Sequence, residues 1–405
     1  MIDLAAITST PRRIRQANAA AALKALFTHG RLSRAELARH LGLNRSSSGH
    51  IVVELTEGAL VREVADEKPD RTAPARAGRP GILLELVPEA AVFLGAEIGV
   101  EHITTVCIDL NADIRASRVV PFDGRSVSAP EVVRRAAQLA LEEIPPGMTA
   151  RCEGFGLAVP GQMDVHGHLR IAPILGWRDV DLQSLARAAL PVGMPVLVEN
   201  DANAFAIGEG YKCGYGRSGV TLFLVIESGV GGGIVIDGKL FQGAHGLAGE
   251  IGHIQIPEGN GQELEELIGL ERLLTRHRMA SGRADATLEG FLADVRDRAP
   301  QAVAIAEEWA RHLAFAIVQT GRFIDPDRIV LGGSVAALYP MVAARVAIYI
   351  RAGQAPTFPV PEILVHEAPE MGAAFGAACK LHQRYLSLEG EHPADDVGPK
   401  IAGPA

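Results

Sequence analysis

Asn200 and Asp201 follow the apolar run Pro195-Val196-Leu197-Val198-Glu199. That run reads as a strand, and the carboxyl ends of strands are where α/β clefts bind ligands. Glu250 and His253 stand three residues apart, so on a helical turn both side chains face one way. An amide, two carboxylates and an imidazole are donors and acceptors suited to a small polar ligand. Taken in isolation, Glu250 and His253 equally make an ordinary surface pair.

A second group of residues points to a polyanion. Arg12, Arg13, Arg15, Lys24, Arg31, Arg34, Arg39, Arg45 and Arg62 face only Glu36, Glu54 and Glu57 within the same stretch. The whole chain carries a formal net charge of -9, so a basic head precedes an acidic body. Within the head, Ser33-Arg34-Ala35-Glu36 forms a capping box that opens a helix with Leu37, Ala38 and Leu41 on one face. Gly42 supplies a turn and Asn44 caps a second helix, whose buried stripe is Ile51 and Leu55. Gly58 ends that helix in a position that tolerates a left-handed conformation.

Helix, glycine turn, helix places a second helix in the major groove. Its exposed start offers Asn44, Arg45, Ser46, Ser48 and His50 to base edges or phosphates. Leu60-Val61-Arg62 and Ile82-Leu83-Leu84 can pair as the strands of a wing. Gly78-Arg79-Pro80 then lies near its tip or exit, with Arg79 placed to enter a narrow minor groove. A small helical bundle with a solvated basic face is the plainer alternative.

The 405 residues exceed the size of one hydrophobic core. Residues 1–81 read as the DNA-binding head and its linker, 82–388 as an α/β body of two lobes around a cleft, and 389–405 as a loose tail. No uninterrupted apolar run approaches the roughly 20 residues of a membrane helix, and Met1 to Thr10 lacks a signal-peptide core, so a cytoplasmic location is expected. Cys107, Cys152, Cys213 and Cys379 lie far apart in apolar stretches, as buried hydrophobes rather than as a disulfide or zinc framework.

Four segments of the body resemble the ROK family of bacterial repressors and sugar kinases. They are Gly156-Leu157-Ala158-Val159-Pro160-Gly161 with Ala172–Trp177, Val198–Ala204, Gly229–Ile234 running on to Gly246–His253, and Val330-Leu331-Gly332-Gly333-Ser334. The Gly-Arg-Pro after the wing also resembles that of the family's repressors. The resemblance implies a winged helix-turn-helix head on a two-lobed, actin-like ATPase body of the sugar-kinase type. It gives Asp201 the position of the kinases' catalytic base and Asn200, Glu250, His253 and Glu265 the position of sugar ligands.

Two departures matter. The family kinases open the body with an Asp-x-Gly-x-Thr type phosphate loop, whereas this chain reads Ala96-Glu97-Ile98-Gly99-Val100-Glu101-His102. A carboxylate facing a polyphosphate repels it unless a metal intervenes, so phosphoryl transfer is not expected. The surviving glycines Gly229 to Gly233 are assigned to close packing of strand on helix. Secondly, the family's cysteine-rich zinc segment is replaced by Pro257-Glu258-Gly259-Asn260-Gly261-Gln262-Glu263, so no metal is expected, nor any cofactor.

The expected function is therefore a DNA-binding regulator, a repressor released by a sugar or sugar phosphate and assembled as a homodimer or homotetramer on operator DNA, with no membrane partner. An active sugar kinase with an accessory head is the second reading, and a body that only dimerises is the third.

Overall fold

The computed structural model describes residues 11–65, 82–212, 218–259, 261–366 and 371–387. Arg79, Cys213 and the expected tail fall outside them.

The head is built from α1 (Pro11–His29), β1 (Leu32–Ser33), α2 (Arg34–His40), α3 (Arg45–Glu57), β2 (Val61–Ala65) and β3 (Ile82–Leu86). The Ser33–Glu36 capping box is present, and Asn44 accepts from the Ser47 amide at 2.8 Å. Gly42 takes φ 64°, as the turn requires. The end of α3 differs from expectation. Gly58 keeps φ −73° and the left-handed residue is Ala59, at φ 53°. The Leu60 amide reaches back to the Leu55 carbonyl at 2.9 Å, closing a Schellman-type cap with alanine where glycine is usual.

β3 pairs antiparallel with β2, Arg62 opposite Glu85, and also with β1, Ser33 opposite Leu83. The wing thus forms from the expected strands, and the head sheet includes residues 82–86, beyond the division expected at residue 81.

The first lobe carries β4 (Val92–Ile98), β5 (His102–Asp109), β6 (Ile114–Pro121), α4 (Ala129–Glu142) and β7 (Cys152–Val159), then a small sheet of β8 (Gln162–Met163), β9 (Leu169–Ala172) and β10 (Trp177–Val180), then α5 (Leu182–Ala189) and β11 (Val196–Asn200). Its main sheet has the order β11-β7-β4-β5-β6. α6 (Asp201–Lys212) follows β11 directly.

The second lobe holds β12 (Val220–Ile226), β13 (Val230–Ile236), β14 (Lys239–Leu240), α7 (Leu264–Ile268), α8 (Leu270–Ser281), α9 (Leu288–Arg296), α10 (Pro300–Ile324), β15 (Arg328–Gly332), α11 (Tyr339–Gly353) and β16 (Glu362–Val365); α12 (Gly372–Tyr385) closes the described chain. The second sheet runs β14-β13-β12-β15-β16. α6 packs on β12 and β13, α12 packs on β4, β5 and β7, and the two helices pack on each other, so they lie between the sheets.

Small residues permit that closeness. A Cβ on Gly231 would lie 2.7 Å from the Ala202 Cβ, and one on Gly233 would lie 2.7 Å from the Ala206 Cβ. These glycines seat β13 against α6, the packing role expected of them.

The stretch Ser334–Gly353 is long and apolar enough to cross a bilayer by length and composition alone. It contains Arg345 and Arg351, and its Val342, Val346 and Ile350 belong to the second-lobe core.

One core cluster joins head and body: Leu23, Leu26 and Leu84 of the head share it with Phe93, Ile207, Phe375 and Leu381. The head is docked on the body through a common apolar interior.

Candidate functional site

The sequence of β11 ends in a polar pair because the strand delivers it to the cleft. Asn200 is the last strand residue and Asp201 the first of α6. Asn200 does structural work there: its Oδ1 accepts from the Asn203 amide at 3.0 Å, capping α6, and its Nδ2 donates to the Gly161 carbonyl at 3.0 Å. One N–H remains for a ligand. Asp201 Oδ1 accepts from the Ala202 amide at 2.9 Å. Burial lifts the Asp201 carboxyl to about 6, opposed by that amide and reinforced by Glu250 and Glu227.

Glu250 and His253 sit on the short 3-10 turn Ile251–His253 and its preceding residue, with Glu250 Oε2 3.5 Å from His253 Nε2. Asn200, Asp201, Glu250, His253 and Glu265 all line one cleft of about 400 Å³. The five residues named from the sequence are thus brought together. Met163, Ile174 and Leu175 supply an apolar wall.

Three further residues were not singled out from the sequence. Gln162 Nε2 approaches His253 Nε2 at 3.4 Å from the small sheet. Glu263 Oε2 lies 2.7 Å from His253 Nδ1, which fixes the proton on Nδ1 and leaves Nε2 facing the cleft. Glu227 accepts from the Ser334 amide at 2.5 Å and from the Ser334 hydroxyl at 2.7 Å. Glu227 ends the apolar run of β12 as Asn200 ends β11, so its position was a readable signal.

Burial works against a charged His253, but the Glu263 hydrogen bond and the negative charges of Glu265, Glu263 and Glu250 together outweigh it, and the imidazole pKa is raised above its ordinary 6.5. The contribution of this group to stability is therefore complete below about 6.5 and is lost as pH rises through the raised folded value. Glu263→Gln is expected to lower the His253 pKa and to weaken the binding of a polar ligand in this cleft about tenfold, by loosening the ring rather than by removing a direct contact. An NMR titration of the His253 ring checks the first effect and calorimetry the second; an unmoved titration would show that Glu263 does not hold the ring.

His253, Glu263 and Glu265 bring one potential metal-ligand atom each within 4.8 Å of one another. The set is three ligands without sulfur, and Nδ1 of His253 already faces the Glu263 carboxylate. It does not fit the four-ligand, cysteine-rich zinc site of the family. The carboxylate takes over the orienting role on the ring.

Glu97, Gly99, Val100, Glu101 and His102 line the same cleft. Glu97 points in from β4, and burial, with Asp201 and Glu227 nearby, drives its carboxyl well above the usual range. Burial also raises Glu227, against the two Ser334 hydrogen bonds. The Gly332-Gly333-Ser334 turn, with Gly333 at φ 82°, therefore offers its Ser334 amide to the chain's own carboxylate.

At the head, Asn44, Arg45, Ser46 and His50 are exposed at the start of α3, and so is Ser47, which the sequence reading passed over. Ser48 is a correction: it is 2% exposed and turned into the head. It lies three residues before Ile51 and seven before Leu55, on the same face as the buried stripe. Arg31 and Arg62 both pair with Glu85, and Arg34 with Glu63, so wing acids neutralise part of the basic face.

With the fold and cleft described, comparison with known proteins becomes informative. The ROK family model matches residues 93–384. This chain belongs to the ROK family. A putative xylose repressor of Caldicellulosiruptor sp. (strain Rt8B.4) is 29% identical over 246 residues, covering 60% of this chain and 59% of the repressor. The alignment thus spans less than two thirds of that relative. Among solved structures, a ROK family transcriptional regulator, homolog of the E. coli MLC protein, superposes with a TM-score of 0.74 at 22% identity, over 93% of this chain and 98% of its own. A ROK family glucokinase from Streptomyces griseus, in complex with glucose and AMPPNP, gives 0.62 at 24% identity, over 72% of this chain and 100% of its own. The regulator's fold covers nearly the whole chain, head included, whereas the kinase's covers under three quarters of it.

Proposed function

We propose that this protein is a sugar-responsive transcriptional repressor that binds operator DNA through its winged head and is released when a sugar occupies the cleft. The observation that carries the reading is the convergence of Asn200, Asp201, Glu250, His253 and Glu265 on one cleft, in a body whose core is continuous with that of the head. Asp201 accepts a hydrogen bond from a sugar hydroxyl, Glu250 and Glu265 accept from others, and His253 Nε2 presents a lone pair or a proton. The xylose repressor among the relatives and the regulator-like fold support the same reading.

Sugar binding across the cleft selects one lobe closure from a pre-existing equilibrium. That closure changes how two heads in a homodimer or homotetramer meet their half-sites, which must match the spacing on the DNA. The protein acts in the cytoplasm, on the chromosome.

Phosphoryl transfer is not part of this function. Its geometry needs neutralised phosphates, and the cleft is lined by Glu97 and Glu227 with no lysine or arginine among the described residues. The kinase reading keeps one observation in its favour: Asp201, held at about 6, is poised as a base near neutral pH. A coupled ADP-release assay over a sugar panel decides between them, and turnover above background would reinstate the enzyme.

The test of the sensor is Asp201→Ala. Losing a hydrogen bond to a charged group costs about 1.5–3 kcal/mol, so sugar affinity should fall roughly 10- to 150-fold while operator affinity without sugar stays unchanged. A variant that still releases DNA at the wild-type sugar concentration would show that the effector binds elsewhere.

A further inference from the structure

We infer that the effector of this cleft is an unphosphorylated sugar and that the cleft rejects sugar phosphates and sugar acids. The inference rests on the sensor reading above and narrows its ligand.

Six carboxylates line the cleft: Glu97, Glu101, Asp201, Glu227, Glu250 and Glu265. Among the described residues no lysine or arginine does. The nitrogen bases there are His102, whose Nε2 lies 3.8 Å from Glu97, and His253, whose Nδ1 is taken by Glu263. An ionised carboxylate only accepts hydrogen bonds, and a protonated one still keeps an accepting oxygen beside its single donor. The cleft is therefore rich in acceptors and calls for a ligand rich in donors. Sugar hydroxyls supply them, and the ring C–H face finds Met163, Ile174 and Leu175.

A phosphate ester brings the opposite chemistry. It adds two negative charges and acceptor oxygens, and it removes the hydroxyl donor it esterifies. Phosphate sites are built from backbone amides, guanidinium groups or ammonium groups. At the Gly332-Gly333 turn, the Ser334 amide is already bonded to Glu227 at 2.5 Å, and the Ser334 hydroxyl is bonded to the same carboxylate. An ester on the hydroxyl that faces Asp201 would sit among Asp201, Glu97 and Glu227 with no cation to offset it. Burial first, and neighbouring carboxylates second, already disfavour charge on each of these three groups. A sugar acid fails for the same reason wherever its carboxylate falls in this lining.

Isothermal titration of the full chain with matched ligands tests the inference. The panel is xylose, glucose, mannose and N-acetylglucosamine, each hexose beside its 6-phosphate, with gluconate and glucuronate. At least one neutral sugar should bind, and its phosphate or acid should bind at least a hundredfold more weakly. A phosphate or acid that binds as tightly as its parent would overturn the exclusion while leaving the sensor reading in place. No binding by any member, with Asp201→Ala matching wild type in operator release by a cell extract of small molecules, would overturn the sensor reading and this inference together.

Discussion

Phe27→Ala should leave sugar affinity within about twofold of wild type and bring the sugar's effect on operator affinity close to nothing. The reason is where α6 begins and ends. Its first residue is Asp201, in the cleft; ten residues on, the ring of Tyr211 stacks on Phe27 of α1 at 5.1 Å between centroids and 27° between planes. His382 of α12 closes the seat. Its ring lies 4.9 Å from Phe27, its Nδ1 accepts from the Tyr211 hydroxyl at 2.6 Å, and its Nε2 donates to the Leu110 carbonyl at 2.8 Å. Burial lowers the His382 pKa to about 4, so the ring stays neutral and this tautomer persists at physiological pH. A second connection runs beside it: Glu199, the neighbour of Asn200, is bonded to Lys380 of α12 at 2.6 Å.

A sugar that draws on Asp201 therefore acts on a rigid helix whose far end carries the head. Allosteric coupling of about 1–3 kcal/mol, roughly 5- to 150-fold in affinity, is the size of effect at stake. With the ring removed, the head loses its purchase on Tyr211 and the ratio of operator affinities with and without sugar should approach one. Phe27→Leu keeps most of the volume and should retain part of the response, which separates lost contact from lost folding. Fluorescence anisotropy on operator DNA, with and without saturating sugar, gives the ratio. An undiminished ratio in Phe27→Ala would mean that the signal reaches the head by another route.

The parts legible in the sequence are those written in local rules. The Ser33–Glu36 box, the Asn44 cap and the Gly42 turn obey short-range hydrogen-bond chemistry, and each formed as read. Asn200 and Asp201 were placed by the strand before them, and Glu250 and His253 by their spacing. What escaped depends on partners far along the chain. Glu263 holds His253 across ten residues through a loop, Glu227 reaches Ser334 across 107, and Phe27 meets His382 from the opposite end of the protein. The partners of the head's arginines escaped for the same reason, since Glu85 meets Arg31 and Arg62 only once β3 has paired. Ser48 was different, because its face was readable from Ile51 and Leu55. A small hydroxyl suggested a DNA contact, where helical periodicity already turned it inward.

The largest effect on stability should come from a single methyl group at Gly376. α12 crosses α6 so closely that a Cβ at this position would stand 1.6 Å from the Ala204 carbonyl oxygen. The obstacle is helical backbone, so no side chain can swing aside, and the two helices must separate by more than an ångström. α12 has little freedom to retreat. Its other face is seated on the first sheet, where a Cβ on Gly95 would meet the Ala374 carbonyl oxygen at 2.0 Å and one on Gly156 would meet that of Ala377 at 2.2 Å. Overpacking of an accommodating core costs about 1–3 kcal/mol, and a site hemmed in by backbone on both sides lies at or beyond the top of that range. At 2–4 °C per kcal/mol, Gly376→Ala should lower the melting temperature by about 10 °C or fail to fold. Gly321→Ala is the matched control. Gly321 also lies inside a helix, α10, but a Cβ there meets nothing within 4 Å. Alanine should therefore gain the roughly 0.5–1 kcal/mol that glycine forfeits within a helix. If Gly376→Ala melts within about 2 °C of wild type, α6 and α12 are not locked together. The rigid path from Asp201 to Phe27 would then lose its support, because a helix free to shift against its neighbour cannot pass a displacement from one end to the other.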